Sequence, residues 1–347
     1  MRRAFKFLAL GGILLTALTL LTATAAWVFH QRFMDAPLPL ATPITIEVPP
    51  ASTLWSVARK LKAKGALNHP CLLIWHAQWH GQSLIQAGEY RLEPGLTPRG
   101  LLRKLGSGAV LTYTRTFPEG IRFARMRADL EADLRLTADT KDLTDPQLIA
   151  RLGLEVAHLE GWFYPDTYRF ARHTQVSAIL KRAHRQMRQT LQEEWQNRRP
   201  DLPLASPYEA LILASLIEKE TAVPAERATI AGVFIRRLQQ GMRLQTDPTV
   251  IYALGTAYDG NLRRRDLNVD SPYNTYRYPG LPPTPIALPG RAAIAAALNP
   301  AAGDSLYFVA RGDGSHHFSA TLAEHNRAVR KYQIEKRRQD YRSTPAP

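Results

Sequence analysis

The chain has 347 residues, 45% of them apolar, which excludes a disordered polymer and leaves room for a membrane segment and two compact units. Against 30 acidic side chains it carries 45 Lys and Arg, a net charge of +15, so its neighbour is expected to be a polyanion: nucleic acid, an acidic lipid surface or an anionic wall polymer. Its single cysteine, Cys71, excludes an intrachain disulfide, and the apolar run around it predicts a buried thiol.

In chain order, Phe7 to Phe29 is almost unbroken apolar sequence, about the twenty residues a bilayer crossing needs. Arg2, Arg3 and Lys6 precede it, which holds residues 1–6 in the cytoplasm and sends the rest outward. Ala23-Thr24-Ala25 resembles a cleavage site, but the apolar run exceeds the core of about 7–15 residues usual for a signal peptide, so an anchor over 7–29 is expected. An exported basic domain excludes nucleic acid as its natural partner.

Residues 30–43 include a Pro-rich stretch, Asp35 to Pro43, that reads as a stiff spacer. A small mixed unit over 44–111 follows, with a strand at Ile44–Val48, a helix capped by Ser52 and running to Gly65, a helix from Cys71 to Trp79, a strand from Ala87 to Leu92 and a helix from Pro98 to Leu105. From 112 to 340 the pattern is that of a larger α+β domain. It contains long helices at Val176–Arg199 and Ala225–Gln240, a Pro- and Gly-rich loop from Gly255 to Pro289, and a hairpin about Gly312-Asp313-Gly314. The tail, 341–347, reads as disordered.

The sharpest anomaly is Leu211 to Thr221, an apolar helix that runs straight into charge. At about 100° per residue Glu218 and Glu220 point nearly opposite ways, so they cannot serve one site. A core helix would desolvate Glu218 and raise its pKa, as a general acid needs; the alternative is a structural ion pair with an arginine. In Gln245-Thr246-Asp247-Pro248-Thr249, Thr246 or Asp247 is placed to cap the helix that follows. Ser271 to Tyr276 interleaves aromatics and amides that suit sugar rings, though rigid loops have the same composition. His316 and His317 are adjacent on a strand and face opposite ways, and there is no His-Glu-x-x-His, Gly-x-Ser-x-Gly or phosphate-cradling loop, so neither metal nor cofactor is expected.

Several motifs together resemble the endolytic murein transglycosylase family (MltG, YceG-like). They are Phe117–Gly120, Leu159–Tyr168, Ala214–Thr221, Leu244–Val250, Ser271–Tyr276, Gly280–Pro283, His317–Ser319 and Glu324–Asn326. The resemblance implies a single-pass protein of the bacterial inner membrane with a periplasmic catalytic domain, and a LysM-like subdomain over Ile44–Leu105 that grips glycan or acts as a spacer. It also implies that Glu218 is the acid/base of a lyase that cuts the β-1,4 bond between N-acetylmuramic acid and N-acetylglucosamine, leaving 1,6-anhydro ends. Gln245, Asp247, Tyr273, Asn274 and Tyr276 are then candidates to orient the sugar or Glu218, and glycan polymerases, including penicillin-binding proteins, are the implied partners. Thr284 and Leu288 depart from the family pattern, which commonly has Gly and Asn there. Two alternatives stay open: a muramidase with Asp247 as second carboxylate, and a non-catalytic peptidoglycan-binding scaffold.

Overall fold

The structure, a computed structural model, describes residues 2–335; the tail expected to be disordered lies outside them. The chain folds into two compact units. One comprises the chain up to Tyr113 together with Arg169–His173, the other Thr114–Tyr168 and the chain from Thr174 on.

The smaller unit begins with α1 (Arg2–Asp35), an unbroken helix whose stretch Gly11–Asp35 is long and apolar enough to cross a bilayer. Residues 30–43 are not the free spacer their composition predicts. Met34 is fully buried and Leu38 nearly so, the Leu38 amide donates to the Leu96 carbonyl (2.8 Å), and His30 Nε2 lies 3.0 Å from His76 Nδ1. Arg99 adds a salt bridge to Asp35 at 3.0 Å. Apolar residues four apart, at the last turn of a helix and just beyond it, bury themselves whether or not prolines follow.

Beyond this lead, β1 (Ile44–Val48), α2 (Leu54–Ala63), α3 (Pro70–Trp79) and β2 (Gly88–Leu92) form a strand–helix–helix–strand unit. The strands pair antiparallel with Ile46 opposite Tyr90. The cap of α2 is Thr53 rather than Ser52: its hydroxyl accepts from the Ser56 amide (3.2 Å). α3 buries Leu73, His76 and Ala77, which share one face, and so turns Cys71 outward; the thiol is exposed, not buried. α4 (Pro98–Ser107) closes the core with Leu101 and Leu105. Arg169–His173 joins this unit through ion pairs: Arg172 with Glu89 (3.2 Å) and His173 with Glu47 (2.6 Å).

The chain continues in a two-stranded ribbon, β3 (Thr112–Thr116) with β4 (Thr167–Ala171). Between these strands lie α5 (Phe123–Glu131) and α6 (Asp145–Leu152), and after them come α7 (Val176–Gln196), α8 (Pro207–Glu220) and α9 (Arg227–Gln239). Then follow α10 (Asp247–Leu254), α11 (Arg291–Leu298), the hairpin of β5 (Tyr307–Ala310) and β6 (His316–Ser319), and α12 (Leu322–Val329). The class is α+β, with small separate sheets.

α8 is the axis of the larger core. Ser206 caps it, Pro207 occupies its first turn, and Ala210 to Ile217 are all buried, so it is apolar on every side as its sequence predicts. α11 supplies Ala293, Ile294 and Ala297 to the same core, its two alanines allowing a close approach. The one polar group inside this buried run, Ser215, is fully satisfied: its hydroxyl donates to the Ile212 carbonyl (2.7 Å) and accepts from the Ile286 amide (3.0 Å). It thereby pins the segment Thr284–Gly290 to the helix. Ser215→Ala leaves the buried Ile286 amide without a partner, a cost of about 1–3 kcal/mol. A lower midpoint in thermal or urea unfolding is the expected result.

Candidate active site

Glu218 stands in the last turn of α8 with its side chain 6% exposed. The Gly290 amide, at the start of α11, donates to its Oε2 (3.0 Å). Arg227, the first residue of α9 and itself largely buried, brings one guanidinium nitrogen to 3.7 Å from Glu218 Oε1 and to 3.7 Å from Glu119 Oε2. The arginine pairing considered from sequence is therefore real, but it is shared between two carboxylates. Glu119 is the more open of the two, 43% exposed.

Backbone geometry places Glu119. Gly120 has φ of +78°, which favours glycine, and its amide donates to the Leu288 carbonyl while the Leu288 amide donates to the Ile121 carbonyl (both 2.8 Å). These two bonds knit residues 118–121 to the segment before α11. A Cβ at Gly290 would overlap the Glu119 carboxyl, so glycine there is what lets the two carboxylates come near each other. Leu288, one of the departures from the family pattern, buries its side chain and serves through its backbone. Thr284, the other, meets the Tyr273 hydroxyl at 2.8 Å.

The Glu218 pKa is raised, first by burial and further by the Glu119 charge, against the lowering effects of the Gly290 amide, Arg227 and Lys219. Such a carboxyl can hold a proton nearer neutrality and give it up to a substrate oxygen. Glu220 is separate, as the helical geometry requires. Its pKa is pushed up to about 8 by burial and then by Asp247, with Thr246 and Arg237 opposing.

Among the described residues, none of the other five expected ones makes a hydrogen bond or ion pair with Glu218, whose partners are Gly290 and Arg227. Gln245, Asp247 and Tyr276 cluster at the start of α10, where the Tyr276 hydroxyl donates to Asp247 Oδ1 (2.5 Å). Gln245 is exposed, with φ of +50°, a strained conformation for a non-glycine residue. Thr246 takes the cap position of α10, but its side chain makes no capping bond. Asn274 is fully buried and its amide is used up: it donates to the Leu267 and Val269 carbonyls (3.0 and 2.8 Å) and accepts from the Tyr276 amide (3.0 Å). It braces the loop and so orients Tyr276, and its burial keeps it from direct contact with a sugar. Tyr273 packs on Tyr252 (ring centroids 4.9 Å apart) and lines a cavity of about 560 Å³ with Phe123, Glu160 and Thr284. Glu160, whose pKa burial pushes up to about 7, accepts from the Phe123 amide (2.9 Å).

The residue missed from sequence is Glu119. Its motif, Phe117–Gly120, stands out, but its approach to Glu218 across 99 positions depends on Arg227 and Gly290. Among the described residues no group of three His, Cys, Asp or Glu is arranged to hold a metal. His316 is instead paired with Glu226 at 2.8 Å.

A desolvated carboxyl that shares one arginine with a second, more open carboxylate gives the site the form of a candidate acid/base centre. Comparison with known proteins assigns the chain to a family: the YceG-like family profile matches residues 46–331, and the chain belongs to that family. A Bacillus subtilis protein named endolytic murein transglycosylase is 34% identical over 319 residues, covering 84% of this chain and 85% of that protein. A Streptococcus pneumoniae protein of the same name is 28% identical, over 86% of this chain and 61% of its own length. The crystal structure of a yceG-like protein from Listeria monocytogenes superposes with a TM-score of 0.52 at 30% identity, covering 83% of this chain and 99% of that one.

Replacing Glu119 by Gln removes a like charge from beside Glu218 and so favours the ionised form. In a carboxyl ¹³C NMR titration, Glu218 of the variant is expected to titrate at lower pH than in the wild type. Arg227→Gln is expected to move it the opposite way.

Proposed function

We propose that this protein is a membrane-anchored lytic transglycosylase that cuts peptidoglycan glycan strands endolytically between N-acetylmuramic acid and N-acetylglucosamine. The observation that carries the reading is Glu218: a buried carboxyl with raised proton affinity, held by one amide and one shared arginine, in a chain similar to proteins named endolytic murein transglycosylases.

Neutral Glu218 donates its proton to the glycosidic oxygen as that bond breaks and positive charge develops at the anomeric carbon. The carboxylate so formed takes the proton of the muramyl 6-hydroxyl. That oxygen then attacks the anomeric carbon, closing a 1,6-anhydro ring and restoring the acid. The charge on Glu119 favours the neutral form of Glu218 before the first step, and Arg227 steadies the carboxylate between the steps. Gln245, Asp247 and Tyr276 serve as a sugar-orienting group, supported by their meeting at the start of α10, by the Tyr276–Asp247 bond and by the strained Gln245 backbone.

α1 serves as a single-pass anchor in the inner membrane. Arg2, Arg3 and Lys6 hold the N-terminus in the cytoplasm, and both units face the envelope. The strand–helix–helix–strand unit is the LysM-like part; the exposed Trp55 on α2 offers a ring on which a sugar can stack. An anchored terminator of glycan synthesis works beside glycan polymerases, which we assign as its partners.

A second reading has one observation in its favour. Glu119 and Glu218 each approach the same Arg227 nitrogen at 3.7 Å, which brings a second carboxylate near the proposed acid, as a two-carboxylate hydrolase needs. In a muramidase, Glu119 rather than Asp247 would be the partner.

Mass spectrometry of muropeptides separates the two. The full chain in detergent is the right material, because Met34 and His30 belong to the core and a cut at Asp35 would remove them. New 1,6-anhydro-muramyl ends are expected, made at least about 10²-fold more slowly by Glu218→Gln. Reducing muramyl ends would instead establish the hydrolase, and the absence of new ends a scaffold.

A further inference from the structure

A second cavity, of about 320 Å³, is lined by Lys219 in the last turn of α8 together with Arg122, Pro248, Ile251, Tyr258 and Ile286. Its two cations are unusually placed. The Arg122 guanidinium donates to the Ile251 carbonyl (3.3 Å) and sits 4.7 Å from the Tyr252 ring centroid, and the Lys219 ammonium donates to the Gly120 carbonyl (3.3 Å). Among the described residues neither forms an ion pair with a carboxylate. Glu218 and Glu160 act on them only through the field, Glu218 on Lys219 and Glu160 on Arg122. Although Lys219 is exposed as a whole, partial desolvation of its ammonium and then the nearby Arg122 lower its pKa from the usual lysine range.

Two like charges near one cavity repel, and carbonyl contacts solvate them without cancelling their charge. An anionic ligand group supplies what is missing, and the rest of the lining is largely apolar. A Cβ added at Gly120 would lie 3.6 Å from both Glu218 Cγ and Lys219 Cδ, so the two side chains flank one glycine, and what fills the cavity lies near the sugar being cut. The muramyl residue carries, on the lactyl ether at C3, a short peptide with small apolar side chains and free carboxylates. A lipid pyrophosphate is also anionic but sits at the end of a strand, so it would meet this cavity only in a cut at that end.

We propose that the Arg122–Lys219 cavity binds a carboxylate of the peptide attached to the muramyl residue at the scissile bond, making the enzyme selective for peptide-bearing over denuded glycan. This rests on the glycan-cleaving reading above.

The test compares kcat/KM of the full chain in detergent on two strands of equal length, one with peptides and one stripped of them by an amidase. Wild type is expected to favour the peptide-bearing strand by about tenfold, the effect of one charge-assisted contact. In Arg122→Gln that ratio falls to near one, through KM, and Arg122→Lys keeps most of it. Because each ratio is taken within one variant, a loss of folded protein cancels. An equal wild-type rate on both strands, or a ratio unchanged in Arg122→Gln, would overturn the proposal. So would a denuded strand with a terminal pyrophosphate that regains the Arg122-dependent advantage, which would give the cavity to the lipid. If neither strand is cut, the cleavage reading fails. Binding of muramyl tripeptide against free N-acetylmuramic acid then decides the cavity alone, with about tenfold tighter, Arg122-dependent affinity for the peptide supporting it and equal affinity refuting it.

Discussion

The hydrogen bond from the Gly290 amide to the Glu218 carboxyl joins the start of α11 to the end of α8, and most of the larger unit serves to make that contact possible. A carboxyl at the end of a wholly buried helix loses hydration, and it is tolerated only with compensating partners. The first partner is an amide at a helix N-terminus, where the local dipole also favours negative charge. The second is Arg227, divided between two carboxylates, so that neither is fully neutralised. The balance leaves Glu218 with a raised proton affinity, as the proposed acid/base role requires. A complete salt bridge would have held it ionised, and a dry pocket with no donors would have held it neutral.

The same economy governs the segment Thr284–Gly290. It passes Ser215, Gly120 and Glu218 in turn and exchanges backbone bonds with the Glu119 turn. Gly161, at φ of +86°, lets Pro285 lie against it, since a Cβ there would collide with the proline ring. Three distant parts of the chain thus meet through main-chain groups, which fixes position without constraining much side-chain identity. Leu288 contributes its amide and carbonyl, and Thr284 gives the loop a hydroxyl anchor for Tyr273.

What was legible in the sequence follows from which signals are local. The buried character of α8, the opposed directions of Glu218 and Glu220, and the hairpin about Gly312–Gly314 are set by periodicity and turn chemistry within a few residues. The role of Glu119 was hidden because it arises from a fold-level meeting of three segments. Asn274 shows a different limit: an amide beside tyrosines has the composition of a sugar site and of a loop brace alike, and only its burial decides. The Pro-rich stretch after α1 misled for a related reason, since composition predicts stiffness but says nothing of whether Met34 and Leu38 have a core to enter. Cys71 was read from its apolar neighbours as buried, but on a helix it is the residues three and four apart that decide the inner face.

The continuity of α1 with the smaller unit has a mechanical consequence. A flexible tether lets a domain drift and turn over the membrane surface, sampling substrates at many heights. Here the helix runs without a break until Met34 is inside the core, and Arg99 clasps Asp35 and Gln31 on its last turns. For a protein anchored as proposed, that makes the helix a mast rather than a leash. The smaller unit has one height above the lipid and one inclination, both inherited from the helix tilt. Glycan would then be met at a set distance from the bilayer, and a change in membrane thickness or helix tilt would be transmitted directly to the domain that receives it.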